Sequence, residues 1–137
     1  MAQNNRSVTA DTPLGDDQLI FYRLTGKEEI GRLFEFYVEL IRDQKLGGVK
    51  ADRLLGKGMT VKLDLPNGTT RHINGEIVQF KHIGLRGRYI CYLATLRPWL
   101  WYLTLNADCR IFQDKSVIDV IKEVFSRYSF SDVQYKL

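Results

Sequence analysis

The feature that most constrains the fold is a strict alternation of apolar and polar side chains in two stretches of the chain. In Phe34–Leu40 every even position is apolar, while Glu35 and Glu39 are acidic. Met59–Leu65 repeats the pattern, and the turn sequence Pro66-Asn67-Gly68 follows directly. Side chains of a strand point alternately to its two faces, and Asn-Gly favours tight hairpins. We therefore predict antiparallel strands with one face in a core and the other, with its two acids, in water.

The strand that returns from this hairpin is predicted to run from Thr69 to Phe80. Its apolar positions change phase around Asn74-Gly75, which predicts a β-bulge or bend near Gly75. A bend of this kind lets a sheet curl toward a barrel. Residues 88–97 are apolar at both odd and even positions. Such a strand is predicted to be covered on both faces, by its own domain or by a partner.

Shorter elements are predicted from turn signals and local composition. Residues 1–5 are predicted to form a frayed tail. The remaining predictions are a strand at Ser7–Asp11, a strand at Gln18–Leu24, a loop at Thr25–Gly31 and a single helical turn at Ala51–Leu55. Cys91 and Cys109 lie in apolar, β-type stretches, which predicts two reduced and buried thiols.

One helix is predicted near the end of the chain, where the apolar period changes from two to 3.6 residues. Ser116 and Asp119 have the spacing of a capping box, so the helix is predicted to begin near Ser116. Its apolar positions are Val117, Val120, Ile121, Val124, Phe125 and Tyr128. The final run, Val133–Leu137, alternates again and predicts one more strand.

The most hydrophobic stretch is Trp99–Leu105, which follows Pro98. Large aromatic side chains fill cores, and they are also enriched in protein interfaces. Trp99, Trp101 and Tyr102 are therefore candidate residues either for sealing the core or for contacting another subunit. The residue pattern alone leaves both alternatives open.

Together these patterns predict a mainly β protein with some α structure, of the α+β class. An antiparallel, barrel-like domain is followed by one amphipathic helix and a strand. We expect three parts: residues 1–17 as an amino-terminal tail with a first short strand, residues 18–113 as the barrel-like module, and residues 114–137 as the start of a truncated α/β segment.

The sequence yields no candidate catalytic, cofactor-binding or metal-binding residue. Glu35 and Glu39 would lie about 13 Å apart along one strand, beyond the spacing of a glycosidase acid pair. His72, His82 and the two cysteines lack the spacing of zinc ligands. Phosphate-binding loops, dinucleotide fingerprints and nucleophile elbows are also missing from the sequence.

The charge pattern is mildly basic, with 20 Lys and Arg against 16 Asp and Glu and a pI of about 9.1. A local cluster of Lys81, His82, Arg86 and Arg88 predicts either a solvated hairpin loop or a contact with phosphates. The absence of interleaved stacking aromatics favours the loop. Residues 1–7 lack the apolar core of a secretory signal, and no apolar run has the length of a membrane span.

Several segments, in their order, resemble the amino-terminal region of the VgrG proteins of type VI secretion and, more distantly, the hub proteins of contractile phage tails. The short segments are weak individually, whereas the ordered set is specific. The matching segments are Leu24–Phe36, Leu54-Leu55-Gly56-Lys57, Asn74-Gly75-Glu76-Ile77, Leu96–Trp101 and Arg110–Val117. Arg71–Gly75 departs from the family, which often places an aromatic residue or His directly before the glycine.

The resemblance implies a phage tail-hub domain and a structural, non-enzymatic role in a homotrimeric spike hub. Such a hub would dock on the Hcp tube, contact baseplate components and effectors, and transmit contraction. The alternative is a hub protein of a contractile phage or pyocin tail. A hydrolase or a nucleic-acid-binding barrel is disfavoured, as are a cofactor, a nucleic-acid partner and stable membrane insertion. The resemblance also implies assembly in the bacterial cytoplasm, without a signal peptide, followed by secretion or injection into target cells.

Overall fold

A computed structural model describes Gln3 and residues 6–128 of the chain. The chain divides into two compact units, Met1–Trp101 and Tyr102–Leu137, which we call the sheet unit and the carboxy-terminal unit. The predicted division at residues 17 and 113 stays a prediction. The predicted final strand, Val133–Leu137, lies outside the described residues.

Among the described residues, the sheet unit contains six strands and two short 3-10 turns, and a third 3-10 segment includes the residues on either side of the division at Trp101. The strands are β1 (Val8–Asp11), β2 (Ile20–Lys27), β3 (Glu35–Asp43), β4 (Gly58–Asp64), β5 (Thr70–Arg86) and β6 (Tyr89–Arg97). The 3-10 segments are Gln44–Leu46, Ala51–Arg53 and Trp99–Leu105, and the helix of the carboxy-terminal unit is α1 (Val117–Phe125).

The six strands form one antiparallel sheet in the order β1-β4-β5-β6-β3-β2, which curves into a half-barrel. The predicted mainly β, antiparallel architecture is therefore confirmed. β6 lies inside the sheet, between β5 and β3, and every residue from Tyr89 to Arg97 is buried or half-buried. Tyr92, Ala94 and Leu96 are buried on the core face of this strand, whereas the other face is mostly half-buried. Cover is therefore observed on the core face, and cover of the second face stays a prediction.

The core lies on the concave side of the sheet and uses the alternation found in the sequence. In β3 the even positions Phe36, Val38 and Leu40 are at most 6% exposed. They pair with equally buried even positions of β6, and Val38 lies opposite Ala94. Burying one such large side chain stabilises a fold by about 1.5–3 kcal/mol. The other buried residues of this core are Ala10, Leu19, Leu54, Met59, Val61, Ile73, Ile77, Tyr92 and Leu96.

The predicted turn between β4 and β5 is confirmed. Gly68 has φ +80° and donates its N–H to the carbonyl of Leu65 at 3.0 Å. The side chain of Asn67 accepts from the N–H of Thr69 at 3.0 Å. Leu65, however, was predicted on the core face and is exposed, because the strand ends at Asp64 and Leu65 belongs to the turn.

The predicted bulge near Gly75 is wrong in position. β4 and β5 pair regularly through Gly75, and the register of β5 shifts instead against β6, between Ile77 and Gln79 and again between His82 and Gly84. Gly75 has a different role. A Cβ there would lie 3.1 Å from the carbonyl oxygen of Arg97 and 3.2 Å from the side chains of Leu96 and Phe34. The glycine therefore permits a close approach within the sheet, and the bulges produce the phase change.

Two predicted loops are wrong in extent because strand pairing continues through polar residues. Thr25–Gly31 was predicted as a loop, but β2 continues to Lys27, which pairs with Glu35. The basic cluster Lys81–Arg88 was predicted as a hairpin loop, but Arg86 still pairs with Tyr89. The turn of that hairpin is therefore only Gly87-Arg88, where Gly87 has φ +58°.

The predicted burial of the two thiols is also wrong. Cys109 lies in a stretch without regular structure and is exposed, so the β-type pattern around it did not form a strand. Cys91 lies in β6 opposite Ile41 and is half-buried. Both cysteines are free thiols.

The amino-terminal tail is not frayed at Gln3, whose side chain is buried in the seam between the sheet edges β1 and β2. Its Oε1 accepts from the N–H groups of Ala10 (3.0 Å) and Phe21 (3.2 Å). Its Nε2 donates to the carbonyls of Ala10 (3.3 Å) and Leu19 (3.1 Å). The backbone N–H of Gln3 donates to Asp17 at 2.8 Å. One amide therefore bridges the two edges that lie at opposite ends of the strand order.

The helix α1 begins as predicted. Ser116 is its N-cap, and its Oγ accepts from the N–H of Asp119 at 3.2 Å, while Asp119 accepts from the N–H of Ser116 at 3.3 Å. This is a complete capping box. Val117 is 75% exposed, and the other apolar residues of the helix are only half-buried.

Candidate interaction surfaces

The predicted aromatic residues Trp99, Trp101 and Tyr102 are all half-buried and share one 3-10 segment. Trp99 and Trp101 belong to the sheet unit and Tyr102 to the carboxy-terminal unit. The guanidinium of Arg97 lies 5.0 Å from the centre of the Trp101 ring, a cation–π distance. Trp101 is thus held against the last residue of β6. Whether these aromatics also contact a second subunit stays a prediction.

Arg97 connects this aromatic ring to an acid on the convex face of the sheet. Arg97 forms an ion pair with Glu35 of β3, and the hydroxyl of Tyr37 donates to the same carboxylate. The other acid of the pattern, Glu39, lies 3.5 Å from Arg23. Glu35 and Glu39 were predicted to be solvated, but each side chain is only 25% exposed because a neighbouring strand supplies an arginine. The paired acids therefore serve to hold strands together.

Glu76 lies on β5 opposite Arg97. Burial raises the pKa of its carboxyl above the ordinary value of 4.5. The folded chain therefore favours the neutral form of Glu76 more than the unfolded chain does. This acid is a second electrostatic feature of the convex face that no sequence pattern revealed.

The far end of the β5–β6 hairpin is basic. Lys81, Arg86 and Arg88 lie there, and His82 contacts the ring of Tyr92 at 5.8 Å. The local charge pattern of the sequence indicates this surface, although the small net charge of the whole chain does not. Residues 77–107 contain no Asp or Glu. We call the segment Lys81–Tyr89 the basic hairpin end.

The carboxy-terminal unit contains a cavity of about 700 Å³ whose lining includes Asp108, Arg110, Phe112 and Arg127. Arg110 donates from Nε to Asp108 at 2.6 Å, and Arg127 lies 3.6 Å from the same acid. The hydrogen bond from Arg110 is the main reason that the pKa of Asp108 is lowered. Asp108 is thus paired with both arginines, while Nη1 of Arg110 is buried without a hydrogen-bond partner.

The described residues contain neither a cluster of metal-binding side chains nor a helix that could span a membrane. Within Gln3 and residues 6–128, no three His, Cys, Asp or Glu side chains are grouped so that they could hold a metal ion. In the same part of the chain, no helix has the length and apolar content needed to cross a bilayer.

Comparison of this sequence with a family model and with known proteins leads to the same family of proteins. Residues 27–137 match the family described as phage tail baseplate hub (GPD). The type VI secretion system spike protein VgrG1a of Pseudomonas aeruginosa is 42% identical over 132 residues, which are 96% of this chain and 20% of that protein. The spike protein VgrG1c of the same organism is 43% identical over 133 residues, 97% of this chain and 18% of that protein. The chain thus spans about a fifth of the length of these curated relatives.

A solved structure supports the fold. It is the E. coli c3393 protein, described as a component of the type VI secretion system with structural similarity to the T4 bacteriophage tail proteins gp27 and gp5. It superposes with a TM-score of 0.65 at 17% identity and covers 85% of this chain and 30% of that chain. At this identity the likeness concerns the fold alone. The resemblance to VgrG proteins is confirmed by the sequence relatives, and the chain belongs to the phage tail baseplate hub family.

Proposed function

We propose that this chain is a structural module of the spike hub of a type VI secretion machine. The observation that carries the proposal is the 42% identity to the spike protein VgrG1a over 96% of the chain. The match to the tail baseplate hub family supports the same role. A rigid sheet with paired acids, rather than a site with convergent reactive groups, suits a part that bears load.

In this role the chain forms part of a homotrimer that docks on the Hcp tube. It contacts baseplate components and effectors, and it transmits the force of contraction without making or breaking bonds. It assembles in the cytoplasm and leaves the cell with the spike. The half-buried aromatics Trp99, Trp101 and Tyr102 either close the fold or touch a neighbouring subunit, and the stacking of Arg97 on Trp101 favours the first role for that ring.

The second candidate is a hub module of a contractile phage or pyocin tail. The family description and the likeness to a structure related to T4 tail proteins favour it. Both candidates use the same fold, so only the machine in which the chain works separates them.

A chimera tests the proposal in a complete protein. The matching segment of VgrG1a is replaced by this chain in a Pseudomonas aeruginosa strain that lacks its other VgrG genes, and Hcp released into the medium is measured. We expect the chimera to restore release. A matched control carries Val38→Asp, which places a charge at a fully buried position and abolishes release by unfolding the module.

A soluble chimera that forms trimers but releases no Hcp would contradict the type VI assignment. The same chain placed in a pyocin hub then tests the second candidate, with particle assembly as the measurement. Assembly there, without release in the type VI strain, would favour the tail-hub role.

A further inference from the structure

The seam between β1 and β2 holds a primary amide that uses its whole hydrogen-bonding capacity. The side-chain oxygen of Gln3 accepts from the N–H groups of Ala10 and Phe21. The side-chain nitrogen of Gln3 donates to the carbonyls of Ala10 and Leu19. A primary amide has one oxygen with two lone pairs and one nitrogen with two hydrogens, so all four are engaged. Gln3 is only 5% exposed, and an unmade hydrogen bond at such a position is costly.

Other side chains would not satisfy the seam. A carboxylate has no donor for the carbonyls of Ala10 and Leu19, and its negative charge would face their oxygen atoms. An aliphatic side chain of similar size would leave the four backbone groups without their partner. Asparagine carries the same amide on a side chain that is one methylene shorter. The seam is therefore matched in both chemistry and reach to glutamine.

A second side chain and an acid of the β1–β2 connection extend this site. Arg6 donates from Nη1 to the carbonyl of Phe21 at 3.2 Å, and its N–H donates to the carbonyl of Gln3 at 2.9 Å. The N–H of Gln3 donates to the carboxylate of Asp17, which has the left-handed backbone angle φ +56°. This conformation is uncommon for a residue other than glycine, so the connection has a defined shape that presents the acid. The site thus contacts a Gln-x-x-Arg segment and not a single residue.

Residues 3–6, which we call the tail segment, border open space as well as the seam. Two surface cavities of about 540 and 490 Å³ lie beside the segment, and Arg6 lines both. The chain is anchored to β4 at the next residue, Ser7, whose carbonyl accepts from the N–H of Asp64 at 2.8 Å. The tail segment can therefore leave the seam by local opening, while the six strands stay paired.

We propose that the β1–β2 seam is a peptide-binding site for a Gln-x-x-Arg segment, and that the tail segment is its removable occupant. In this structure the segment belongs to the same chain. The tail segment of a second copy can make the same hydrogen bonds once the resident segment has left, because no covalent link takes part in recognition. Binding at the seam does not depend on the machine in which the chain works, so it goes beyond the proposed function.

Fluorescence anisotropy tests the site with a peptide of residues 1–7 that carries fluorescein at its carboxyl end. The receptor is the full chain with Gln3→Ala/Arg6→Ala, whose own tail lacks both recognition groups. We expect the peptide to bind this double variant at least about tenfold more tightly than the parent, whose tethered tail competes at an effective concentration on the order of millimolar. The control receptor is Gly75→Ala, which strains the sheet unit but keeps the tail intact. It should bind the peptide no better than the parent does.

Peptides with Gln3→Glu or Gln3→Leu test recognition of the amide. Each is expected to bind the double variant at least about tenfold more weakly than the natural peptide, because the backbone groups of the seam lose their partner. Amide hydrogen exchange locates the bound peptide. The N–H groups of Ala10 and Phe21 should exchange more slowly in the double variant when the natural peptide is present.

Equal binding of the natural peptide to the double variant, the parent and Gly75→Ala overturns this inference. Equal binding of the three peptides, or no binding at all, overturns it too. If the double variant does not fold alone, it is refolded from urea with each peptide in turn. Recovery of the native circular dichroism with the natural peptide only supports the site, and any other result overturns it. All of these outcomes leave the proposed function intact.

Discussion

The side chain of Gln3 hydrogen-bonds the backbone of Ala10 in both directions, accepting from its N–H at 3.0 Å and donating to its carbonyl at 3.3 Å. A primary amide has the same donor and acceptor as a peptide group, so it can take the place of a strand residue. Through Leu19 and Phe21 the same amide reaches the other sheet edge. The half-barrel is thus closed at this point by a side chain from the tail.

Replacing Gln3 by Ala should lower the free energy of unfolding by about 2–3 kcal/mol, because buried backbone groups on both edges lose their partner. Urea denaturation followed by circular dichroism measures the change. Gln79→Ala is the matched control, since Gln79 is an exposed residue of the same sheet, and its effect should stay within about 0.5 kcal/mol. Equal effects of the two substitutions would show that the amide bridge does not stabilise the fold.

Gly75→Ala should destabilise the sheet unit by about 1–3 kcal/mol, since the added methyl group presses on the backbone of Arg97 and on Leu96. Thermal melting monitored by tryptophan fluorescence measures the loss. In Gly58→Ala the new methyl group meets only Glu76 at an ordinary 3.8 Å, so this control should be tolerated much better. A Gly75→Ala protein as stable as Gly58→Ala would contradict the close approach seen at Gly75.

Glu76 should make the fold less stable as the pH rises. Its pKa is raised by burial, so the stability that it contributes is present below the unfolded pKa and is lost as the pH rises through the folded pKa. Glu76→Gln cannot ionise, and it should therefore gain stability relative to the parent between pH 4 and pH 7. Urea midpoints at the two pH values measure this difference.

Asp119 provides a comparison of opposite sign. The hydrogen bond with Ser116 is the main reason that its pKa is lowered, so its contribution is present above the unfolded pKa and lost as the pH falls. Asp119→Asn should lose stability relative to the parent at pH 7 more than at low pH.

If the difference in stability between Glu76→Gln and the parent did not change with pH, burial of the Glu76 carboxylate would have no thermodynamic consequence.

Ser116→Ala should destabilise α1 by about 1 kcal/mol, because the first turn loses the acceptor for the N–H of Asp119. Amide hydrogen exchange within Val117–Phe125 is the direct measurement. Ser126→Ala, at the other end of the same helix, removes only a hydroxyl that donates to the carbonyl of Glu123 at 2.8 Å. Faster exchange should therefore appear at Asp119 in the first variant and not in the second.

Local patterns predicted the strands and the helix because their causes are local. The even positions of β3 are buried as the alternation requires, and the cap at Ser116 depends on a residue only three positions away. The bulge at Val78 could not be placed in the same way, because its position is set by the register against β6. The bridging role of Gln3 was equally invisible, since its partners lie 7 to 18 residues away and meet it only when the sheet curls.

The interaction surfaces were predictable in part. The basic cluster at Lys81–Arg88 was visible as charge, but its identification as a loop concealed an ordered strand end with Ile83 and Leu85 exposed. Trp99, Trp101 and Tyr102 were visible as a hydrophobic run. The stacking of Arg97 on Trp101 required the structure, because cation–π contacts depend on side-chain geometry and not on residue order.

The position of β6 in the strand order has a consequence for the nascent chain. Before Tyr89 leaves the ribosome, the strand pairings that can form are β2 with β3, β1 with β4 and β4 with β5, so we expect two sheet fragments at that stage. β6 joins them by pairing with β5 on one side and with β3 on the other. Until then, the hydrophobic edge of β3 is open to pairing with a neighbouring chain. We therefore expect synthesis of these nine residues to be the step that joins the two fragments through strand pairing and covers the edge of β3.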